Sequence, residues 1–316
     1  MKRVIIDTDP GIDDALALLL AFRSPELEVA AITTVSGNVP VDTATGNVFK
    51  ILGLVPDAAV PVARGADRPL IKEGVHAGPI HGLDGLGGQG ESLDGSKARK
   101  AWLSPRTGPE EIVHQIESST KPVTIIALGP LTNMALALEA SPRAMATVER
   151  CIVMGGAISV PGNITPAAEF NLFVDPHAAS RVFQSGLPLT LVGLDVTRQA
   201  LLQRSTVETL IRPKKTPTAA FISRATERLL DWTEKHSGEA AIPLHDPLAV
   251  AVALDPALVR SERLSVEVET EGQLGQGMTV ADLRPLLPAW KKKPNLQVCL
   301  QVRVAEFMTF FLERVL

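Results

Sequence analysis

Cysteine, tyrosine and aromatic residues in general are scarce in this sequence. Its 316 residues include two cysteines and no tyrosine, and the aromatic fraction is 4%. Cys151 and Cys299 lie far apart in the sequence and do not have the spacing of metal ligands. Two cysteines in a chain of this length also exclude a disulfide scaffold. Each cysteine lies within an apolar run, which predicts a buried free thiol.

The sequence also lacks a strong charge of either sign and a long hydrophobic run. A formal net charge of −4 gives no electrostatic reason to expect nucleic acid or a membrane surface as a partner. The early apolar run from Ala15 to Phe22 is shorter than the roughly 18–20 residues of a membrane span. No targeting segment is visible, because Asp7 follows the first short apolar run directly. We therefore expect a cytoplasmic protein.

Short β-branched runs alternate with longer amphipathic stretches over the first two thirds of the chain. This alternation predicts βαβ units and a mainly parallel central sheet flanked by helices, which is an α/β fold of the Rossmann-like kind. The predicted strands are Val4–Ile6, Val29–Thr33, Val60–Ala63, Val123–Leu128, Cys151–Met154 and Leu189–Val192. The predicted helices are Ala15–Arg23, Thr43–Leu54, Glu110–Ser118, Asn133–Glu139 and Pro176–Gln184.

The last third of the chain has a different pattern. Residues 205–236 are expected to be mostly helical, and a further helix is expected over Asp246–Leu254. The later strands are expected to extend or flank the sheet before a final helix from Ala305, and are predicted at Ser265–Thr270, Met278–Val280 and Leu296–Val304. Because no linker divides the chain, we predict one domain over residues 1–316.

The segment Lys72–Gly95, here called the glycine-rich segment, contains eight glycines and little sign of regular structure. A loop of this length in a compact domain is usually either functional or flexible. The functional interpretation is favoured because His76 and His81 lie inside it. Its Gly85–Gly90 run fits a dinucleotide-binding pattern, but no strand precedes it and no helix follows, so that interpretation is rejected.

The most informative motif is Asp7-Thr8-Asp9-Pro10-Gly11-Ile12-Asp13-Asp14, with four carboxylates between a predicted strand and a predicted helix. Helix capping and a Pro-Gly turn explain one or two of these aspartates. Crowding of all four is unfavourable, because neighbouring carboxylates disfavour one another's ionised form. A bound divalent cation relieves this cost, and oxygen ligands without cysteine or histidine indicate Ca²⁺ or Mg²⁺.

A second polar cluster, His245-Asp246-Pro247, precedes a predicted apolar helix. The simple interpretation is that Asp246 caps this helix, with Pro247 as its first residue. The functional interpretation is that an imidazole suited to proton transfer and a carboxylate face the first cluster. Amides and carboxylates follow most other strands, which suits a ligand rich in hydroxyl groups.

With these motifs the sequence resembles the inosine-uridine-preferring nucleoside hydrolases over almost its whole length. The resemblance implies the nucleoside hydrolase fold, hydrolysis of ribonucleosides and a homodimer or homotetramer. It rests on the acidic motif and on six further motifs in the expected order, which are Ser36-Gly37-Asn38, His81-Gly82-Leu83-Asp84-Gly85, Gly129-Pro130-Leu131-Thr132-Asn133, Met154-Gly155-Gly156, Glu169-Phe170-Asn171 and His245-Asp246-Pro247.

The resemblance implies one Ca²⁺ ion per subunit. Its ligands would be Asp9, Asp14, Asp246 and the backbone carbonyl of Leu128, and the ion would also bind the attacking water and two ribose hydroxyls. Asp9 would accept the proton of that water as general base. Asn38 would support the shell of the metal and its water.

The resemblance also implies roles in binding the ribose. Asp13 and Asn171 would bind the lower ribose hydroxyls, and Asn163 and Glu169 would hold the 5′-hydroxyl. Met154 would line the ribose pocket. A rim of carboxylates is consistent with cleavage of an N-glycosidic bond, because positive charge develops on the sugar.

The resemblance and the helical spacing together indicate four residues near the base of the nucleoside. His245 would protonate the leaving base, with His81 nearby, because an ionised base is a poor leaving group. Trp232 and His236 lie one helical turn apart before His245, where related enzymes place aromatic residues over the base. Core packing of Trp232 is the alternative, and the absence of tyrosine leaves the base preference open.

Two other functions remain open on the sequence. A phosphatase of the haloacid dehalogenase type also places an Asp-x-Asp pair after its first strand and binds Mg²⁺, but no late Gly-Asp-x-x-x-Asp segment completes such a site. A binding protein for nucleosides on the same scaffold is the non-catalytic alternative. It is disfavoured because Asp9 and His245, the implied base and acid, are both present.

Overall fold

The strands coincide with the apolar, β-branched runs, because side chains buried on both faces of a sheet favour such residues. The computed structural model describes residues 1–55, 58–284 and 292–316. Within these ranges the strands are β1 Lys2–Thr8, β2 Leu27–Thr34, β3 Val62–Arg64, β4 Val123–Ala127, β5 Arg150–Met154, β6 Leu189–Val192, β7 Leu201–Gln203, β8 Ala241–Pro243, β9 Val259–Leu264, β10 Val266–Val268, β11 Thr279–Ala281 and β12 Leu296–Val302.

Eight of these strands form the central sheet, in the order β3-β2-β1-β4-β5-β6-β12-β9. All neighbouring pairs are parallel except β12 and β9 at one edge, which are antiparallel. The strand order reverses between β1 and β4, and ligands of such sheets bind outside the carboxyl ends of the strands at this reversal. The acidic motif begins at the end of β1 and therefore lies at this position.

Helices cover both faces of the sheet. Their bounds are α1 Ile12–Phe22, α2 Val41–Leu52, α3 Gly78–His81, α4 Ser96–Trp102, α5 Gly108–Glu117, α6 Thr132–Ala140, α7 Pro142–Met145, α8 Phe170–Val174, α9 Pro176–Gln184, α10 Leu194–Thr197, α11 Arg204–Thr206, α12 Pro217–Ser237, α13 His245–Leu254 and α14 Val304–Val315. No helix in the described ranges is long and apolar enough to cross a membrane.

The core is divided into two layers by the alternation of side chains along the strands. Val4 and Ile6 of β1 pack on one side with α1, α12, α13 and α14, whereas Ile5 packs on the other side with α5, α6 and α9. Helix α1 is buried on nearly all sides, as expected for a helix of almost only apolar residues. It packs against α13, and the first turns of these two helices adjoin, because carboxylate oxygens of Asp14 and Asp246 lie within 4.8 Å of each other.

These observations confirm the α/β class and the mainly parallel sheet, and Cys151 and Cys299 are both buried and free, as predicted. The strand pair β12–β9 extends the sheet, and the small pair β10–β11 flanks it. The strands β7, β8 and β9 have no counterpart in the sequence prediction. Two short helical turns, α3 and Gly90–Ser92, give the glycine-rich segment more regular structure than predicted, and Leu86 inside it is fully buried.

Candidate active site

The turn between β1 and α1 is fixed by three residues of the acidic motif. Pro10 has no amide hydrogen with which to extend the strand, and Gly11 is the N-cap of α1. The Asp14 carboxylate accepts hydrogen bonds from the amide of Gly11 at 2.9 Å and from the hydroxyl of Thr8. A negative charge in the first turn of a helix is also favoured by the helix dipole. Capping thus explains Asp14 but leaves the other aspartates unexplained.

Asp9 lies at the centre of this edge of the sheet and is fully buried. Its Oδ2 accepts the backbone amide of Asn38 at 2.6 Å, whereas its Oδ1 is buried without a hydrogen-bond partner. The side-chain amide of Asn38 donates to Asp14 Oδ2 at 3.2 Å, so Asn38 bridges both aspartates. Gly129 follows β4 here, and a Cβ at this position would lie 2.5 Å from Asp9 Oδ1.

Asp246 reaches the same place from the other end of the chain, because α13 packs beside α1. Carboxylate oxygens of Asp13, Asp14 and Asp246 lie within 4.8 Å of one another. The expectation that Asp246 caps its helix is wrong. The helix already begins at His245 with Leu244 as N-cap, so Asp246 lies in the first turn and its side chain is directed to the cluster.

Asp9, Asp13, Asp14 and Asp246 all have raised pKa values, with burial as the largest cause and neighbouring carboxylates as a further cause for Asp9, Asp14 and Asp246. Burial, followed by the charges of its neighbours, raises the pKa of Asp9 and that of Asp246 well above the usual range. Burial also raises the pKa of Asp13, to about 6, and that of Asp14. Within the described residues no lysine or arginine forms an ion pair with any of them. The cluster therefore fits a divalent cation held by oxygen ligands.

The carbonyl of Leu128 and the side chain of Asn171 lie together at the end of β4. Asn171 Nδ2 donates to the carbonyl oxygen of Leu128 at 2.7 Å, and it also contacts the carbonyl and the sulfur of Met154 at 3.2 and 3.4 Å. These three residues come from separate parts of the sequence. The structure brings them together at the carboxyl ends of β4 and β5.

Glu169 is the N-cap of the short helix α8, which positions Asn171. Its buried carboxylate accepts the amides of Asn171 and Gly156 at 3.0 and 3.1 Å. Desolvation outweighs these hydrogen bonds and raises the pKa of Glu169 to about 7. Asn163 is exposed, and its Oδ1 accepts the amide of Phe170 at 2.8 Å, so the loop that carries Asn163 adjoins Glu169.

Two imidazoles approach the cluster. The amide of Ile12 donates to His81 Nδ1 at 3.2 Å, and the same nitrogen lies 3.9 Å from Asp13 Oδ1. His245 Nδ1 lies 2.7 Å from the hydroxyl oxygen of the fully buried Thr197. Burial lowers the pKa of His81 to about 4 and, together with Arg198 and His81, that of His245 to about 3. Both rings are therefore neutral at pH 7 when no ligand is bound.

The glycine-rich segment is attached to the site at several points. The amide of Ala77 donates to the carbonyl of Asn38 at 3.0 Å, and His76 Nδ1 lies 2.8 Å from the carbonyl of Gly37. Gly87, with a φ of +64°, passes so close to Ala225 of α12 that any Cβ would collide with its carbonyl. The segment therefore connects the carboxylate cluster to α12.

Trp232 and His236 lie on α12 and stack on each other, with ring centroids 4.5 Å apart. Trp232 is 43% exposed, so the alternative of simple core packing is wrong. His236 Nδ1 lies 2.7 Å from the carbonyl of Trp232 on the same helix. The described contacts of this pair lie on α12 and do not include the carboxylate cluster.

Two further buried groups, Asp7 and Thr197, were given no separate role by the sequence analysis. Asp7 accepts hydrogen bonds from the side chains of Thr33 and Asn133 beneath the cluster, and desolvation raises its pKa to about 7. Thr197, which contacts His245, follows β6 at the same sheet edge. A systematic search for polar residues after every predicted strand would have found Thr197, because β6 was predicted correctly.

The fold and the site define an α/β protein with a buried, metal-competent carboxylate cluster at the reversal of its strand order. The sequence model of the inosine-uridine preferring nucleoside hydrolases matches residues 4–309. The chain therefore belongs to this family and is a nucleoside hydrolase enzyme. This membership decides against the phosphatase and the non-catalytic alternatives.

Individual relatives are similar to this chain over nearly its full length. The chain is 39% identical over 314 residues to the pyrimidine-specific ribonucleoside hydrolase RihA of Salmonella schwarzengrund, covering 98% of this chain and 97% of that protein. Among solved structures, a plant nucleoside hydrolase, PpNRh1, superposes with a TM-score of 0.90 at 32% identity. A purine-preferring ribonucleoside hydrolase from Gardnerella vaginalis superposes equally well at 31% identity. Both structural matches cover 99% of this chain and 98% of the other.

Proposed function

We propose that the protein hydrolyses the N-glycosidic bond of ribonucleosides, releasing the free base and ribose. The observation that carries this proposal is the buried carboxylate cluster of Asp9, Asp13, Asp14 and Asp246, which has no compensating lysine or arginine within the described residues. Positive charge develops on the sugar when such a bond breaks, and fixed carboxylates stabilise it.

A Ca²⁺ ion, one per subunit, would be held by Asp9, Asp14, Asp246 and the carbonyl of Leu128. The unpartnered Oδ1 of Asp9 and the mutual repulsion of the carboxylates support this assignment. When bound, the ion supplies positive charge that lowers the pKa of a water and holds ribose hydroxyls. Asp13 also lies within reach of Asp14 and Asp246, and it is assigned to a ribose hydroxyl because its Oδ1 has no partner.

Asp9 is proposed as the general base. Its Oδ2 is occupied by the amide of Asn38, which leaves Oδ1 to accept a proton from water. Asn38, through its bond to Asp14, keeps the two carboxylates in a fixed relation.

The ribose is proposed to bind between Asp13 and Asn171, with Met154 lining the pocket. Asn171 already contacts Leu128 and Met154, which fixes its amide at this point. Glu169 and Asn163 are assigned to the 5′-hydroxyl. Glu169 also holds the backbone of Asn171, so it supports this side of the pocket in two ways.

Protonation of the leaving base is assigned to His245, with His81 beside it. The ring of His245 is neutral in the free protein, so it must gain a proton when the nucleoside is bound. Negative charge that develops on the leaving base favours this proton, because an adjacent opposite charge raises the pKa of an imidazole. The exposed pair Trp232 and His236 is assigned to contacts with the base.

The substrate class comprises purine or pyrimidine ribonucleosides such as inosine and uridine, because relatives of similar fold carry both preferences in their names. The glycine-rich segment is proposed to close over the bound nucleoside as a lid that excludes water. We further propose that residues 1–316 act as one domain in the cytoplasm, within a homodimer or homotetramer.

The deciding experiment measures free ribose from inosine, uridine, cytidine and adenosine. The protein is stripped of metal with a chelator, dialysed, and assayed with no metal, with Ca²⁺ and with Mg²⁺. We expect ribose release that requires Ca²⁺. Full activity of the stripped protein would contradict the metal assignment, and no ribose from any nucleoside under any condition would contradict the proposed function.

A further inference from the structure

Thr197, which contacts His245, lies in a helix that is fixed by several hydrogen bonds. It closes the four-residue helix α10, whose first amide, that of Leu194, donates to the carbonyl of Gly156 at 2.9 Å. The carboxylate of Asp195 in the same helix accepts the amides of Ile158 and Ser159, each at 2.8 Å. Helix α10 is therefore tied to the loop that leads from β5 towards Asn163.

The segment before His245 is tied to the same place. The amide of Leu244 donates to the carbonyl of Ala200 at 2.8 Å, just after α10. His245 and Thr197 are thus held by a common framework, and the 2.7 Å contact between His245 Nδ1 and Thr197 Oγ1 joins two fixed points. No other hydrogen bond of the Thr197 hydroxyl occurs within the described residues.

We propose that Thr197 is a positioning residue that orients the His245 ring. This role rests on the proposed function of His245 as proton donor. With Nδ1 engaged by Thr197, Nε2 is the nitrogen left to meet the leaving base. A hydroxyl accepts the Nδ1 hydrogen when the ring carries two protons, so the contact persists in the proton-donating form. The adjoining Arg198 cannot take this part, because a guanidinium has no acceptor.

Thr197→Val tests the role, because valine has the same shape and lacks only the hydroxyl. We expect kcat for inosine and uridine to fall about 10- to 100-fold with KM little changed. A misplaced catalytic group stabilises the transition state less but leaves the binding of the substrate as it was. Thr197→Ser should keep near wild-type kcat. Thr190→Val, at a buried threonine in β6 remote from the site, controls for the loss of a buried hydroxyl.

A second substrate distinguishes a misplaced proton donor from a general loss of activity. The nitrophenolate of 4-nitrophenyl β-ribofuranoside leaves without being protonated, so its hydrolysis should be unchanged in Thr197→Val. Equal losses on this substrate and on nucleosides would overturn the proposal, and so would an unchanged kcat on nucleosides. If the wild type hydrolyses nucleosides and Thr197→Val does too, at the same rate, the proposed function stands and the role of Thr197 fails.

A spectroscopic measurement tests the role without turnover. The protein has six histidines, and with ¹⁵N-labelled histidine the ring signals of His245 are identified by their loss in His245→Gln. We expect one tautomer in the wild type and in Thr197→Ser, and a mixture in Thr197→Val. Identical ring spectra in wild type and Thr197→Val would overturn the proposal even if the protein released no ribose.

Discussion

The carboxylate cluster and the glycine-rich segment represent two ways of building a site. The cluster lies on regular structure, at the ends of β1 and β4 and the starts of α1 and α13, and its aspartates are held by short backbone contacts. The glycine-rich segment consists of short turns that contact both the cluster and α12. Rigid elements hold groups to the small tolerance that catalysis needs, whereas loops allow variation and movement.

This difference assigns separate tasks to the two regions. The proposed chemistry at the sugar uses fixed carboxylates, and these lie at the ends of strands and the starts of buried helices. We propose that the base is recognised by the glycine-rich segment and α12, where Trp232 is 43% exposed. If the division holds, changes in the cluster should affect all substrates alike, and changes in the segment or in α12 should affect them unequally.

Asp9→Asn is expected to have the largest effect. Removing the general base should lower kcat at least about 1000-fold for every nucleoside. It also removes one buried charge from the cluster, so the melting temperature without metal should rise and the further rise on adding Ca²⁺ should shrink. Ribose release and thermal unfolding with and without Ca²⁺ measure both.

Glu139→Gln is the control for Asp9→Asn, because it removes an exposed carboxylate paired with Arg181 at the surface. This variant should match the wild type in kcat and in its response to Ca²⁺. An Asp9→Asn protein that keeps more than a tenth of the activity would remove Asp9 from the mechanism. The carboxylate cluster would then serve only to bind the metal.

Glu169, which lies beside Asn171 in the proposed ribose pocket, should make the free energy of unfolding depend on pH. Its pKa is about 7 in the fold and about 4.5 when unfolded, so the folded state binds this proton more tightly. The protonated form therefore stabilises the fold below pH 4.5, and this contribution is lost as the pH rises to about 7. By linkage the loss amounts to about 3 kcal/mol in the free energy of unfolding.

Glu169→Gln cannot lose a proton and should not show this decline. The stability difference between Glu169→Gln and the wild type should therefore shift by about 3 kcal/mol in favour of the variant between pH 4.5 and 7.5. Urea unfolding across this range measures it. Parallel pH curves for the two proteins would show that Glu169 is ionised throughout and that its hydrogen bonds from backbone amides, including those of Asn171 and Gly156, outweigh burial.

Much of the cluster could be predicted from the sequence because it depends on local signals. The strand before Asp9, Pro10 and Gly11 after it, and the apolar helix from Ile12 are contiguous, so the motif lies at a strand end in any α/β arrangement. Asp246 was predicted to face the cluster from its place at a helix start, and the family resemblance implied its role as a metal ligand. Its capping role was predicted wrongly, because Leu244 takes the N-cap position and the helix begins one residue before Asp246.

The glycine-rich segment could not be predicted in the same way. Its turns depend on contacts with Asn38, Gly37 and Ala225, which lie far away in the sequence, and no local pattern specifies them. Glycine adopts both signs of φ at little cost, so its presence permits these turns without selecting one. Strand β9 was also not predicted, because its charged and half-exposed residues do not form an apolar run.

Gly87 and Gly88 provide a matched pair for the second region. Both have positive φ, but only Gly87 has a neighbour, the carbonyl of Ala225, in the way of a Cβ. Gly88→Ala should cost about 1 kcal/mol from backbone strain alone. Gly87→Ala should cost about 2–3 kcal/mol, since overpacking adds to the strain, and should raise KM by displacing the segment.

Melting temperatures and KM values for inosine and uridine compare these two variants. We expect Gly87→Ala to change the two KM values by different factors and Gly88→Ala to leave their ratio unchanged. Equal effects of the two substitutions on stability and on KM would show that the contact with α12 does not matter. A fall in kcat without a change in KM would place the segment with the carboxylate cluster and break the proposed division.

Trp232→Ala should produce the smallest effect and the most selective one. Because the ring is exposed and, among the described residues, stacks on His236 alone, the free energy of unfolding should change by less than about 0.5 kcal/mol. A stacking contact with the base contributes about 0.5–1.5 kcal/mol, so the ratio of kcat/KM for inosine to that for uridine should shift by about 2- to 10-fold. Leu274→Ala, at another exposed apolar side chain, is the control. An unchanged ratio in Trp232→Ala would exclude the indole ring of Trp232 from the choice of substrate and leave base recognition to His236 and the glycine-rich segment.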